Sequence, residues 1–242
     1  MATSLTALDY RKSQFSAGET WHVGYDSILF FTIAVMFNGL LLFQYFQDPT
    51  LNQDLIFIGI FQILTALGGF MIGMLVTRNN NELDVSMSDK KRISETYVNG
   101  IIFSGVVIML DAMLNNVLGN QSMYAIESSL LTTGEITIPL TASVVEEAFF
   151  SLGLSIFLYK AFTGMFGKHG VGEMVAIIAG SLFVAAFFAM IHMWVYKTHI
   201  SLLIILAINR FAYNVAFLKY KNFSMVVIMH MFHNGLSLLL AG

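Results

Sequence analysis

An all-α bundle of transmembrane helices is the fold this sequence predicts, and three observations carry that expectation. Of 242 residues, 57% are apolar and only 11% charged, too few charges for the surface of a water-soluble domain of this length. Apolar runs of about twenty residues recur along the chain, the length a helix needs to cross a hydrocarbon core ~30 Å thick. Basic residues crowd into alternate loops, the asymmetry that sets membrane orientation. There is no cysteine, so neither disulfides nor thiol chemistry enter. A net charge of −3 says little by itself, and nothing resembles a nucleic-acid-binding patch, so no nucleic-acid partner is expected.

Taken in order, the elements divide into three regions. Residues 1–26 form a polar N-terminal segment containing Arg11, Lys12, Glu19 and Asp26. It is too long for the basic start of a cleaved signal peptide, so no processing is expected. Residues 27–135 hold the N-terminal transmembrane helices, expected at Ser27 to Phe46, Leu55 to Thr77, and Val98 to Leu118 with Asp111 inside it. Gly69 and Gly73 in the second have the GxxxG spacing that lets helices approach closely. Residues 136–242 hold four more spans. The fourth is Ile136 to Tyr159, the fifth Met174 to Tyr196, and the sixth Ile200 to Leu218, interrupted by Arg210. The seventh runs from Phe223 to Gly242. The longest polar loop is Asn79 to Thr96.

Loop charges agree with about seven spans. Arg11, Lys12, Arg78, Lys90, Lys91, Arg92, Lys160, Lys168, Lys219 and Lys221 fall on one side and only Lys197 on the other. Ten against one places the N-terminus in the cytoplasm. The loop Gly119 to Glu135, with Glu127 and no basic residue, falls outside.

One stretch contradicts its apolar surroundings. Glu146 and Glu147 sit about ten residues into a 24-residue run with no other charge, roughly 15 Å deep at ~1.5 Å per residue. One acidic residue at mid-membrane costs about 3 kcal/mol on insertion scales, so polar partners or a wet cavity must offset the pair. Adjacent helix positions point about 100° apart. Only one carboxylate can face a common point, and the other needs its own donor. The partners are expected in the fifth span, where Phe188 and His192 lie four apart, and in the seventh, where His230 and Asn234 do. Residues four apart share a helix face. Two carboxylates, two imidazoles and a carboxamide are groups able to activate water and to stabilise an oxyanion.

A double Glu in one span, Phe-x-x-x-His in the next and His-x-x-x-Asn in a later one resembles the CAAX prenyl protease and bacteriocin-processing family of intramembrane endopeptidases, also called the CPBP or Abi family. The resemblance covers about Ile136 to Leu240, and implies a CPBP-like catalytic core in the C-terminal half. It implies an integral protein of a prokaryotic cell membrane that hydrolyses a membrane-associated peptide or protein substrate. Glu146 would act as general base with His192, His230 and Asn234 would donate to the oxyanion, and Glu147 would orient His192 or take a structural donor. In the family the first motif reads Glu-Glu-x-x-x-Arg, commonly followed by Gly; here Ser151 holds the Arg position, Leu152 follows, and Gly153 comes one place late. Arg210 is the candidate to supply that charge from the sixth span.

No cofactor is expected. Zinc would suit two histidines and a carboxylate, but is not favoured, because His-Glu-x-x-His on one helix is absent. Other polar residues have plainer readings: His233 as packing or as support beside the site, Asp111 with Arg210 as a pair stabilising the bundle, and His22, His169 and His199 as surface residues. Two other functions use the same residues. A non-catalytic relative could bind membrane peptides, as Ser151 suggests. A small proton-coupled transporter could use the buried carboxylates and histidines as a relay, although no inverted repeat is visible.

Overall fold

The computed structural model describes residues 20–47, 53–77, 83–86, 90–118, 137–196 and 199–241. The expected external loop, most of the polar N-terminal segment and Lys197 lie outside the described residues. Helix α1 spans Tyr25–Gln47, α2 Gln53–Thr77, α3 Lys90–Leu118 and α4 Thr137–Glu147. A π-helical segment, Ala148–Ser155, joins α4 to α5, Ile156–Phe166. Then come α6 at Val171–Ile191, the single turn α7 at Met193–Tyr196, α8 at Ile200–Tyr220 and α9 at Phe223–Ala241. Among the described residues, five helices are long and apolar enough to cross a membrane, while Tyr25–Leu40 and Phe223–Leu236 are shorter apolar stretches. The protein is an all-α bundle of membrane type.

The first two helices turn their bulky apolar side chains outward and their small or polar ones inward. In α1, Leu29, Ile33, Met36 and Leu40 are exposed while Ser27, Ala34 and Asn38 are buried. In α2 the exposed stripe is Leu64, Leu67, Met71 and Met74, opposite buried Gln62, Ala66 and Thr77. Spacings of three and four residues put each set on one face. Lipid tails are as apolar as leucine, so bulky groups gain little from the interior, whereas small ones let backbones pack closely.

That packing is tightest between α2 and the π segment. A Cβ added to Gly153 would meet the Gly69 backbone at 3.0 Å, and one on Gly73 would meet the carbonyl oxygen of Leu152 at 2.9 Å. The GxxxG spacing thus seats the widened helix turns that follow the glutamate pair. Gly69 itself would press a Cβ into the Phe149 backbone. Gly69→Val is expected to lower stability by about 1–3 kcal/mol, the usual range for overpacking. Thermal unfolding in detergent would check this against Gly68→Val, which has open space beside it.

Four features differ from the sequence-based expectation. The fourth span is not one regular α-helix: within Ala148–Ser155 the ladder widens, and the Ser155 hydroxyl donates to the Phe150 carbonyl five residues back, at 2.5 Å. Side chains inserting into the ladder and π bulges are recognised causes of such distortion, frequently at functional sites. The fifth span breaks at His192, where α6 ends and α7 begins. Polar helix from Lys90 occupies the end of the expected Asn79 to Thr96 loop. Finally, the bundle carries a two-stranded parallel sheet, β1 at Trp21–Gly24 against β2 at Leu83–Ser86, with Trp21 opposite Leu83.

The sheet is anchored to the turn between α8 and α9. His22 donates its backbone N–H to the Lys221 carbonyl at 2.7 Å, and Lys221 leaves α8 in the left-handed conformation at φ 50°. Asn222 caps α9 by accepting from the Met225 backbone at 3.1 Å, and donates to Thr96 at 2.7 Å, the usual service of Asn at a helix start. His22 is therefore buried, not a surface residue. His169 and His199 are exposed, as expected.

Candidate functional site

The site is built where the π segment, α6, α8 and α9 converge. Glu147 is the last residue of α4 and points fully into the bundle. Its carboxylate receives a two-pronged contact from Arg210 of α8: Nη1 to Oε1 at 2.6 Å and Nη2 to Oε2 at 3.0 Å. The planar guanidinium matches a carboxylate in this way, which lysine cannot. Arg210 also donates from Nη2 to the Ser151 hydroxyl at 2.7 Å and to Asn214 Oδ1 at 2.9 Å. Ser151 in turn donates to Glu147. The Arg210 guanidinium also packs against a pair of touching aromatic rings, 5.1 Å from the Phe150 centroid and 5.4 Å from Phe188. Such cation–π contacts contribute about 2 kcal/mol when desolvated.

Arg210 thus occupies the space beside Ser151, the position at which a family arginine would stand. This corrects one expectation and decides another. Arg210 does not pair with Asp111, and of the two readings given for Glu147 the geometry selects the structural donor over His192: its partners are Arg210, Ser151 and His230. The reason is rotational. The 100° between neighbouring positions sends Glu147 towards α8 and α9 and leaves Glu146 on the rim facing α6.

His230 connects the two carboxylates. Its Nδ1 lies 2.8 Å from Glu147 Oε1 and its Nε2 lies 3.7 Å from Glu146 Oε2. On the other side, His192 Nε2 lies 3.9 Å from Glu146 Oε1, and its Nδ1 contacts the Phe188 carbonyl at 2.8 Å. These contacts fix both tautomers. A carbonyl can only accept, so His192 Nδ1 carries a proton. A carboxylate paired with Arg210 also only accepts, so His230 Nδ1 carries one as well. In their neutral forms both rings turn an Nε2 lone pair towards Glu146. His192 stacks on Phe188, with ring centroids 4.3 Å apart.

The rim is open to a visiting group. Glu146 and His192 side chains keep 23% and 21% of their surface accessible, against none for Glu147. Asn234 belongs to the same assembly but commits an amide proton to Ser143 Oγ at 2.8 Å. It also lines a cavity of about 30 Å³, bounded by Phe188, Leu206, Asn209, Arg210, Tyr213, His230 and His233. The five residues expected from sequence therefore gather into one neighbourhood on α4, α6 and α9.

Sequence reasoning missed a second polar cluster next to it. Asp111 Oδ2 accepts from Asn209 Nδ2 at 2.9 Å and lies 3.0 Å from His233 Nε2, while His233 Nδ1 contacts the Tyr213 hydroxyl. Of the two readings given for His233, packing or support beside the site, its buried hydrogen bonds favour support. Its spacing from Asp111 in the chain gave no hint, and Tyr213 sits in an aromatic-rich run that hides one functional phenol among many.

Among the described residues, no three His, Asp or Glu side chains are close enough to hold a metal ion. Zinc would need its donors drawn to ~2.0–2.2 Å from one point. No family model, curated protein or solved structure matches the chain.

Proposed function

We propose that this protein is an intramembrane endopeptidase of the CAAX protease and bacteriocin-processing type, hydrolysing a peptide bond of a membrane-associated substrate with a water activated by Glu146. The observation that carries this reading is the placing of Glu146 between the Nε2 atoms of His192 and His230, at 3.9 and 3.7 Å. Both gaps are too long for direct hydrogen bonds and suit bridging by water. A water between Glu146 and a neutral histidine gives both protons to acceptors and keeps its lone pairs for attack. Glu146 then takes the proton as the carbonyl carbon is attacked, and the histidines, once protonated, donate to the developing oxyanion. Asn234 adds a carboxamide beside His230. The removal of one oxyanion donor costs about 3–4 kcal/mol of barrier in well-studied hydrolases.

In this reading residues 136–242 form the catalytic core, the chain makes seven spans in a prokaryotic cell membrane, and the N-terminus is cytoplasmic. Arg210, filling the place beside Ser151, favours a catalytic protein over a peptide-binding relative that has lost its arginine. The buried Asp111–His233–Tyr213 cluster is what favours a proton-coupled transporter as the second reading, since such chains of ionisable groups relay protons in membranes.

Cleavage of a fluorogenic membrane peptide by the protein in liposomes separates them. His192→Ala is expected to lower kcat at least about a hundredfold, the usual worth of an acid–base group, without changing the melting temperature by more than a few degrees. Full activity in His192→Ala would remove the scheme, and proton flux without cleavage would select the transporter.

A further inference from the structure

We propose that Asp111, His233 and Tyr213 form a proton relay which serves the Glu146–His230 pocket through the adjoining water-sized cavity. The proposal rests on the hydrolytic reading above and adds three positioning residues that do not touch substrate. The cluster draws on three helices, with Asp111 on α3, Asn209 and Tyr213 on α8 and His233 on α9. All four side chains are at least nine-tenths buried. A structural cluster at such depth should satisfy its own polar atoms. Here Asp111 Oδ1 and Asn209 Oδ1 are buried without a hydrogen-bond partner.

The hydrogen bonds have a direction. With Asp111 ionised, His233 donates from Nε2 to Asp111 Oδ2, its Nδ1 accepts, and Tyr213 donates its phenolic proton. Adding one proton reverses the second link: the imidazolium donates from Nδ1, and the Tyr213 O–H becomes free to point elsewhere. Two states that differ by one proton and a rotated hydroxyl are what a relay needs.

The outlet is the 30 Å³ cavity, to which Asn209, Arg210, Tyr213, His230 and His233 all contribute. A water needs at least about 10–15 Å³ and two to four polar partners. Asn209 Oδ1 offers an acceptor and Arg210 Nε a donor, both buried and otherwise unpartnered. Tyr213 packs beside His230 with ring centroids 5.3 Å apart. The groups facing Tyr213 are thus His230 and His233 from α9, Asp111 through His233, and Arg210 on its own helix, already paired with Glu147.

Peptide hydrolysis moves two protons. One passes from the attacking water to Glu146 as the C–O bond forms, then to the amine nitrogen as the C–N bond breaks. The other leaves the new carboxylic acid and also ends on the amine, giving carboxylate and ammonium. The relay lends this second proton through His230 and recovers it from the acid, so it returns to its starting state and needs no co-reactant.

The test uses the full chain in liposomes with Tyr213 replaced by phenylalanine or by 3,5-difluorotyrosine, which keeps ring and hydroxyl but makes the phenol more acidic. Tyr213→Phe and Asp111→Asn are each expected to lower kcat about tenfold to a hundredfold with KM unchanged. Difluorotyrosine should retain activity and move the alkaline limb of the kcat profile to lower pH, which a packing role would not do. Wild-type kcat in Tyr213→Phe, or a profile unmoved by fluorination, overturns the relay while an inactive Glu146→Gln control leaves the hydrolytic reading intact. If Glu146→Gln is fully active, hydrolysis by this site fails instead. The relay, which serves that site, then falls with it.

Discussion

Replacing Arg210 with methionine is expected to destabilise the protein by about 3–5 kcal/mol, the cost of leaving a buried charge without its partner. Glu147 would keep donors from Ser151 and His230, but both are shared, and neither carries a fixed positive charge. Reversible unfolding in mixed micelles would measure the loss. Changing both members, Arg210→Met with Glu147→Met, should recover most of it, because apolar replacement of a whole buried ion pair is often neutral or better. A double variant as unstable as the single one would show that packing of the guanidinium against Phe150 and Phe188 matters more than its charge. Relocating the charge is the complementary experiment. Ser151 Oγ lies 2.7 Å from Arg210 Nη2, so Ser151→Arg combined with Arg210→Ser puts a guanidinium back within reach of the same carboxylate. Cleavage is expected to return in that pair. Ser151→Arg alone should not improve on wild type, since it crowds two cations around one buried carboxylate.

The helical bundle and five spans among the described residues were legible because membrane burial imposes a length that composition alone reveals. The glutamate pair, His192, His230 and Asn234 were legible because intramembrane polar groups are costly and stand out against apolar runs. What could not be read was rotation. Whether Arg210 faces Glu147 or Asp111 depends on helix angles, and Arg210 and Glu147 are separated by 63 residues. A signal did exist on α3, where Ser104, Val107 and Asp111 recur at three- and four-residue intervals and are all buried. It marks Asp111 as facing inward but cannot name its partners. The π segment had weaker traces. Small residues at Ser151, Gly153 and Ser155 permit the widened turns, yet a straight α-helix would also accept them. Trp21–Gly24 was hidden for the opposite reason: four residues are too few to show strand alternation inside a polar segment.

The two adjacent glutamates should separate chemistry from stability. Glu146→Gln is expected to lower kcat by about 10²–10⁴-fold, the range for loss of a general base, while changing stability by less than about 1 kcal/mol. Its side chain is partly exposed, and its nearest imidazole nitrogens lie at 3.7 and 3.9 Å, so no buried charge is orphaned by the change. Glu147→Gln removes the charge opposite Arg210 at zero exposure. It should cost about 3–5 kcal/mol of stability and lower activity too, by releasing the hydrogen bond that fixes His230 Nδ1. The comparison is informative because both substitutions remove one charge, keep the side-chain volume and lie one residue apart. Their difference therefore isolates the direction each carboxylate faces. If Glu146→Gln unfolded the protein and Glu147→Gln left it stable but inactive, the inner carboxylate would be the base and the rim one the anchor, and the water-activating geometry drawn here would have to be turned by one residue.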